Sequence, residues 1–471
     1  MSVPVINIAQ MREWESATWA AGQTETEVVR RVGKKVARRA RKLTRSDDLI
    51  LVLAGKGHNG DDTRAAEEFL DGRRVEMLAV PDPVADLPRL EQLLQQKPAL
   101  VIDGLFGIGL NRPLDDGWKK FIAAVNQSKI PVLSVDVPSG LNGDTGDNLG
   151  AAIEASVTLT VGAPKTGMLA QAAWPFVGRL EVAGDVGLIP CPHASELNWT
   201  LQDDFENFPP RRAVAGHKGS FGHLAIVAGS VGYHGAAVLA ARAAQRAQPG
   251  LVTLFTQENV YHPIASQLQA VMVDVWQPAS KFHDGISAVL AGPGLAASDL
   301  PEEMKVAVRR LWRDLQLPLV VDASALDWLL TQQTTARNTL RVITPHPGEA
   351  ARMLHMSVAQ VQADRPRALR ELSRRFGNCW VVLKGHQTLI GRAEGGIFVN
   401  SSGNPHLAQG GTGDLLAGFM AGLLAQPALQ ADVEKTIRYA VWQHGIAADE
   451  LQAKRANWVV EDLVNELGNA R

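Results

Sequence analysis

Short apolar runs that end in polar, glycine-containing loops recur along the chain and alternate with stretches of helical periodicity. In the first half the apolar runs predict strands at 49–54, 74–80, 100–103, 131–136 and 155–160. Amphipathic stretches predict helices at 11–21, 26–43, 63–70, 87–96 and 117–127. This alternation is typical of a mostly parallel, buried sheet. We therefore predict that the first half is an α/β domain with a doubly wound sheet.

The pattern thins out between residues 176 and 211, where prolines interrupt it, and then restarts. The second half is predicted to contain strands at 223–228, 251–256, 288–291, 319–322, 342–344, 380–383 and 389–391. Helices are predicted at 237–248, 414–425 and 433–451. This arrangement indicates a second, larger doubly wound α/β domain. We place the two domains at residues 1–205 and 206–471.

Composition excludes several classes of protein. The chain has 471 residues, of which 46% are hydrophobic and 20% charged, as expected for globular domains with full cores. A net charge of −2 predicts no general attraction to nucleic acid or membranes. We see neither an apolar run of the ~20 residues needed to span a bilayer nor a secretory signal. The only cysteines, Cys191 and Cys379, lack metal-ligand spacing, so we expect a cytoplasmic protein.

In the first half, polar side chains follow three predicted strands at their carboxyl ends. They are His58 to Asp62, then Asp103, then Asp136 with Ser139. Ligands of open α/β sheets bind at that edge. Oxygen ligands from Asn59, Asp103 and Ser139 would suit a hard cation such as K⁺, Mg²⁺ or Ca²⁺. A carboxylate such as Asp136 can also act as an acid or base, although a single aspartate at a strand end is more often a turn or cap residue.

In the second half, a glycine-rich turn, Gly410 to Gly413, leads into an apolar helix. The amino end of a helix suits phosphate because its N–H groups are unpaired. Asp414 beside such a site would hold a metal or take a proton from a hydroxyl that attacks phosphorus. The alternative is that Asp414 caps the helix in a surface turn.

Each of three other polar residues of the second half can be interpreted in two ways. Lys384, followed by Gly385, would pair with phosphate or be a solvated lysine. His346, between two prolines, would contact substrate or form a structural hydrogen bond. Asp322 would hold Mg²⁺ through water or cap a helix.

Taken in order, these runs resemble two known families. Residues 214–450 resemble the ADP-dependent NAD(P)H-hydrate dehydratase family, which has a ribokinase-like fold. The matching runs are His217–Gly222, Gly229-Ser230, Gly235-Ala236, Gly292–Gly294, Val321–Ala323, Thr344–Glu349, Lys384-Gly385 and Gly403–Asp414. Residues 1–200 resemble the Rossmann-like NAD(P)H-hydrate epimerase domain that is often fused ahead of it. The matching runs there are Gly55–Gly60, Asp103 with Phe106–Leu110, and Val135–Gly146.

The resemblance implies a bifunctional enzyme that repairs damaged nicotinamide cofactors. The second domain would dehydrate (6S)-NAD(P)H hydrate at the expense of ADP, giving AMP and phosphate, and the first would interconvert the R and S epimers. It also implies ADP as co-substrate, Mg²⁺, K⁺ in the first domain, and a homo-oligomer without nucleic-acid or membrane partners.

Site residues follow from the resemblance position by position. Asp414 and Asp136 would be catalytic. The hydrate of the second domain would contact Ala236, Gly294, His346 and Asp414, and the adenine nucleotide Lys384, Gly385, His386, Gln387, Thr388 and Gly413. In the first domain K⁺ would be held by Asn59, Asp103 and Ser139. Substrate there would contact His58, Asn59, Gly60, Asp61, Asp62, Gly107, Ile108, Gly109, Leu110, Asn111, Arg112 and Pro113.

The first domain departs from its family's pattern at several positions. The family's loop has asparagine, glycine and glycine where this chain has His58, Asp61 and Thr63. An aspartate in place of glycine adds bulk and negative charge and restricts φ. The first domain is thus expected to be either an epimerase or a domain without catalysis. The competing function for the whole chain is a ribokinase-like small-molecule kinase with a non-catalytic first domain.

Overall fold

The computed structural model describes residues 2–277, 282, 284–329 and 339–470. Contacts divide the chain into two compact units, Val3–Trp199 and a second one that begins at Thr200. The domain ranges 1–205 and 206–471 stay a prediction. Within the described ranges, no helix is both long and apolar enough to cross a membrane.

The first unit contains a parallel sheet of the order β3-β2-β4-β5-β6-β7, which confirms the predicted α/β class. The strands of this unit are β1 Val3–Pro4, β2 Leu49–Ala54, β3 Arg74–Ala79, β4 Leu100–Gly104, β5 Val132–Val135, β6 Val157–Val161, β7 Arg179–Ala183 and β8 Leu197–Trp199, of which β2 to β7 form this sheet. Its helices are α1 Ile8–Ala20, α2 Glu25–Leu43, α3 His58–Glu67, α4 Pro83–Gln95, α5 Asp116–Gln127 and α6 Trp174–Val177. Strand β7 lies in the stretch where the sequence pattern thins out.

Helix α2 is basic, yet it belongs to the core of this unit. Val28, Val32 and Val36 are buried against the sheet, since their spacing places them on one face. On the other side Arg30 pairs with Glu68 at 2.7 Å, and Arg39 pairs with Glu181 at 2.6 Å. The basic residues of α2 are thus partly neutralised within the unit.

The second unit has strands in the order β17-β16-β15-β14-β13-β12-β9-β10-β11, parallel except for β16 and β17. The strands are β9 His223–Val227, β10 Leu251–Thr256, β11 Met272–Val275, β12 Ala288–Ala291, β13 Leu319–Val321, β14 Arg341–Ile343, β15 Trp380–Leu383, β16 Leu389–Gly391 and β17 Ile397–Val399. The helices are α7 His234–Arg246, α8 Glu258–Ala265, α9 Glu302–Asp314, α10 Pro347–Leu354, α11 Val358–Ala363, α12 Arg365–Arg375, α13 Thr412–Leu424, α14 Pro427–Gln430, α15 Val433–Lys454 and α16 Val460–Glu466.

Both sheets contain a point where the strand order reverses. In the first sheet the chain leaves β2 for β3 on one side and later returns to β4 on the other. In the second, β10 and β12 flank β9 in the same way. Loops that follow such neighbouring strands leave a crevice between them, which is where open α/β sheets bind ligands.

Several helices begin earlier than the sequence predicted, and in α3 and α13 the reason is that glycine-rich turns form their first turns. Helix α3 begins at His58 rather than at Thr63, and α13 begins at Thr412 rather than at Asp414. Gly411 caps α13 with φ of 95°, a backbone conformation that glycine adopts without strain. Asp414 therefore lies inside the first turn of α13, and its interpretation as a helix cap is wrong.

Helix α13 packs very closely on α7 through small residues. A Cβ atom at Gly418 would lie 2.0 Å from the carbonyl oxygen of Ala240, and one at Gly422 would lie 2.7 Å from that of Ala244. Both contacts are to backbone, which cannot move as a side chain can. The position of α13, and of Asp414 at its start, is therefore set by this contact.

We expect Gly418→Ala to destabilise the second unit by about 1–3 kcal/mol, since overpacking forces the two backbones apart. Urea unfolding would measure the change. The control is Gly235→Ala on α7, where a Cβ atom meets nothing within 4 Å. Equal stability of the two variants would contradict the close contact.

Candidate active sites

A cavity of about 620 Å³ lies at the reversal point of the first sheet. It is lined from one side by α1 and α2 and from the other by the loops that follow β2, β4 and β5. The candidate residues that line it are His58, Asn59, Asp62, Gly107, Ile108, Gly109, Leu110, Asn111, Arg112 and Asp136. Gly60, Asp61 and Pro113 are not among its lining residues.

The three candidate cation ligands come together beside this cavity. Asp103 is wholly buried and accepts hydrogen bonds from Ser139 Oγ at 2.6 Å and Ser134 Oγ at 2.8 Å. Asn59 Nδ2 donates to the carbonyl oxygen of Phe106 at 2.7 Å, and the N–H of Phe106 donates to Ser139 Oγ at 2.9 Å. Among the residues that the structure describes, Asn59 Oδ1 is buried without a hydrogen-bond partner. This cluster of oxygen atoms, one of them unpaired, fits a hard cation.

Asp136 is held by a lysine that the sequence analysis missed. Lys165 is wholly buried, and its Nζ donates to Asp136 Oδ1 at 2.5 Å and to Thr160 Oγ1 at 2.9 Å. The N–H of Val161 donates to the same carboxylate oxygen at 3.1 Å. The other oxygen, Oδ2, lies 3.7 Å from the place that a Cβ atom of Gly107 would take. One carboxylate oxygen is therefore anchored while the other faces the loop after β4.

Two other carboxyl groups among those that line the cavity, Glu15 and Asp62, have a raised pKa. Burial raises the pKa of Glu15, and the charge of Asp136 raises it further. Burial and then Asp136 also raise the pKa of Asp62 well above its usual range. Asp62 thus keeps a proton at a higher pH than an exposed aspartate does.

The departures from the family pattern are accommodated locally. Asp61 lies in the first turn of α3, and its φ lies outside the left-handed region. An aspartate adopts this conformation without strain, so the expected conflict between its φ and the loop is wrong. Its carboxylate accepts a hydrogen bond from Arg64 at 2.8 Å. His58 is exposed and lies 3.2 Å from Glu25. Thr63 is buried and fits because residue 104 is glycine, where a Cβ atom would come within 2.2 Å of the threonine methyl group.

In the second unit, polar residues after β13, β14 and β15 form one buried network. Lys384 Nζ donates to Asp322 Oδ1 at 2.8 Å, and Thr344 Oγ1 donates to the same oxygen at 2.6 Å. Glu349 Oε2 lies 4.0 Å from Lys384 Nζ. Asp322 occupies the N-cap position of the helical turn that follows it, but its side chain makes no capping hydrogen bond there. Lys384 is mostly buried rather than solvated.

The glycine-rich loop before α13 lies directly against this network. A Cβ atom at Gly413 would lie 3.3 Å from Lys384 Nζ and 4.0 Å from Asp322 Oδ2. Burial, followed by the charge of Asp322, raises the pKa of Asp414 to about 7, although Lys384 opposes the shift. Asp414 therefore gains and loses a proton near neutral pH.

The remaining candidates of this unit lie on loops or at the starts of helices around the same sheet edge. A Cβ atom at Gly294 would lie 3.1 Å from Cβ of Ala236, so these two residues are neighbours at the reversal point. His346 caps α10, with Nδ1 accepting from the N–H groups of Gly348 at 3.0 Å and Glu349 at 3.3 Å. The side chain of His346 is half-exposed, and its Nε2 lies 3.6 Å from Glu349 Oε1.

Sequence reasoning missed two basic residues with site contacts. Lys165 follows β6 in the sequence Gly-Ala-Pro-Lys, so its place after a strand end was the available signal. Arg365 contacts the loop after Lys384 from α12, and nothing in the local sequence indicates it.

We expect Asp414→Asn to stabilise the protein relative to wild type, and to do so more at pH 8 than at pH 4.5. The native pKa of Asp414 is raised above the unfolded value of about 3.9, so the native state binds more protons between about pH 4 and 7. Wild-type stability therefore falls as pH rises through this window, whereas the asparagine variant lacks that loss. Urea midpoints of both proteins at the two pH values would measure it, and an unchanged difference would contradict the raised pKa.

Comparisons with known proteins match both units of the chain. A family model described as NAD(P)H-hydrate dehydratase matches residues 224–468, and one described as YjeF-related protein N-terminus matches residues 77–167. The bifunctional NAD(P)H-hydrate repair enzyme Nnr of Coxiella burnetii is 33% identical over 467 residues, 93% of each chain. The Nnr of Escherichia coli is 31% identical over 435 residues, 86% of this chain and 81% of that one.

Solved structures show the fold of the second unit. A hypothetical protein of Streptococcus mutans matches with a TM-score of 0.50 and 27% identity over 57% of this chain and 98% of that one. A ribokinase-like superfamily protein of Enterococcus faecalis matches with a TM-score of 0.50 and 24% identity over 59% and 96%. The second unit is thus ribokinase-like, and the chain belongs to the family of bifunctional NAD(P)H-hydrate repair enzymes.

Proposed function

We propose that this chain restores NADH and NADPH from their hydrates. The second unit dehydrates the S epimer of NAD(P)H hydrate with ADP, giving AMP and phosphate. The first unit interconverts the R and S epimers, so that both can be consumed. The observation that supports dehydration most directly is Asp414, a carboxylate with a pKa of about 7 at the start of a helix and beside a buried lysine.

In the proposed dehydration, Asp414 takes the proton of the 6-hydroxyl group of the hydrate. The freed oxygen attacks the β-phosphorus of ADP, and the bond from that phosphorus to the oxygen of AMP breaks. Phosphate then leaves from C6, pushed by the ring nitrogen, and loss of a proton from C5 restores the dihydronicotinamide. A base whose pKa lies near the working pH is suited to the first step.

The neighbours of Asp414 suit the charge that this transfer creates. The N–H groups at the start of α13 and the ammonium group of Lys384 stabilise negative charge on the phosphates. Mg²⁺ bound to the nucleotide would neutralise further charge. Asp322 and Glu349, the two carboxylates beside Lys384, would hold it. The loop Lys384–Thr388 and Gly413 would bind the nucleotide, and Ala236, Gly294 and His346 the hydrate.

In the first unit, Asp136 would move the proton during epimerisation, with Lys165 keeping its carboxylate in place. K⁺ would be held by Asn59, Asp103 and Ser139, and would offset the negative charge of the substrate's diphosphate. The unpaired Oδ1 of Asn59 supports this ligand set. The local fit of His58, Asp61 and Thr63 supports an active epimerase.

We expect Asp414→Asn to lower the rate of ADP-dependent dehydration of the S hydrate by at least about 100-fold, the contribution of a positioned general base. In the wild type the rate should rise with pH up to about 7, where Asp414 loses its proton. Absorbance of reduced nicotinamide would follow the reaction. The matched control is Asp432→Asn, an exposed cap of α15, which should keep the wild-type rate. A stable phosphorylated product would instead identify a small-molecule kinase.

We expect Asp136→Asn to abolish epimerisation without affecting dehydration of the S hydrate. Chromatography of both epimers should then show R disappearing at its spontaneous rate of conversion while S is consumed quickly. Asp82→Asn, at the exposed cap of α4, serves as the control. If wild type consumes R no faster than the spontaneous rate, the first unit is not an epimerase.

A further inference from the structure

A buried arginine lies beneath the loop Lys384–Gln387. Arg365, the first residue of α12, is 7% exposed. Its guanidinium group donates to the carbonyl oxygens of four residues of this segment. The partners are Leu383 at 3.1 Å, Lys384 at 3.4 Å, Gln387 at 3.3 Å and His386. One side chain thus binds the carbonyl groups of Lys384, His386 and Gln387 in the loop and of Leu383 before it, whereas the carbonyl of Gly385 accepts from Thr388 Oγ1.

This arrangement fixes where the N–H groups of the loop point. A trans peptide holds its C=O and the next N–H in opposite directions. Because the carbonyl groups of Lys384, His386 and Gln387 face Arg365, the N–H groups of Gly385, Gln387 and Thr388 face away from it. The peptide before Lys384 obeys the same rule, since the carbonyl of Leu383 faces Arg365 while the N–H of Lys384 donates to Pro345 at 2.9 Å.

The loop has a backbone shape that depends on this support. Gly385 has φ of 128° and Gln387 has φ of 51°, which is unusual for a residue with a side chain. Successive N–H groups in such a loop form an anion-binding concavity. Carbonyl groups that converge on one point repel each other unless a cation lies between them. Arg365 is such a cation, because burial lowers its pKa only to about 10 and it stays charged at neutral pH.

We infer that Arg365 is a positioning residue for nucleotide binding: it turns the carbonyl groups of the loop inward so that the outward N–H groups bind the phosphates of a nucleoside diphosphate. The inference rests on the proposed function only in taking ADP as that ligand. Arg365 itself does not touch the nucleotide. Its effect is on the shape and charge of the loop.

Arg341 offers a matched control. It is buried to a similar degree, at 3% exposed, and likewise donates to backbone carbonyl oxygens, among them Trp312, Leu317 and Leu340, each at 3.0 Å. It is the first residue of β14, whereas Lys384 follows the last residue of β15. Since these two strands are parallel, Arg341 lies at the opposite edge of the sheet.

The experiment compares wild type, Arg365→Met, Arg365→Lys and Arg341→Met as full-length proteins. Calorimetry would give the Kd of ADP with Mg²⁺, and thermal unfolding would give stability. We expect Arg365→Met to raise the Kd about tenfold, equivalent to about 1.4 kcal/mol, and Arg365→Lys, which keeps the charge but has fewer donors, to raise it less. Arg341→Met should lose stability but keep the wild-type Kd. Hydrogen exchange of residues 385–388 should be faster in Arg365→Met alone.

The outcomes separate this inference from the proposed function. A folded Arg365→Met protein that binds ADP as wild type does would overturn the inference, and so would Arg341→Met weakening binding equally. If Arg365→Met does not fold, the Kd of Arg365→Lys decides in the same way. A wild type that binds ADP but leaves hydrates unchanged would refute the function while the Kd comparison still decides on Arg365. A wild type that binds no ADP would overturn both.

Discussion

The ion pair between Lys384 and Asp322 is the contact on which the site of the second unit depends. Asp322 is buried and Lys384 is mostly buried, so removing them from water costs free energy that only close pairing and hydrogen bonds offset. Thr344, directly after β14, and Glu349, in the first turn of α10, supply those further contacts. The pair therefore ties the ends of three neighbouring strands together. The pair also lies beside Asp414, where the charge of Asp322 raises the pKa of Asp414 more than the charge of Lys384 lowers it.

The candidate site of the first unit contains a similar ion pair of a lysine and an aspartate. Lys165 and Asp136 also follow parallel strands, and this lysine is completely buried. The two pairs differ in which carboxylate the lysine binds. In the first unit the lysine anchors one oxygen of the candidate catalytic aspartate itself, whereas in the second unit it pairs with Asp322. Burial raises the pKa of Asp414, and the charge of Asp322 raises it further.

Much of both sites follows from the sequence, because strand ends are visible as apolar runs and parallel strands bring their carboxyl ends to one edge. That rule alone correctly groups Asn59 with Asp103 and Ser139, and Asp322 with Lys384. The helix starts at His58 and Thr412 were missed, since glycine-rich segments indicate a turn locally and become helical only when the following helix is packed. Arg365 was missed for another reason. Its partners are backbone carbonyl groups, which every residue has, so no residue pattern marks them.

The fit between Thr63 and Gly104 has a consequence for how such a chain changes over evolutionary time. The threonine methyl group occupies the space that any side chain at 104 would need. While threonine occupies position 63, alanine at 104 would clash with its methyl group, and alanine at 104 would in turn exclude threonine from 63. Substitutions at these two positions are therefore coupled, because each one limits the side chains that the other position can accept.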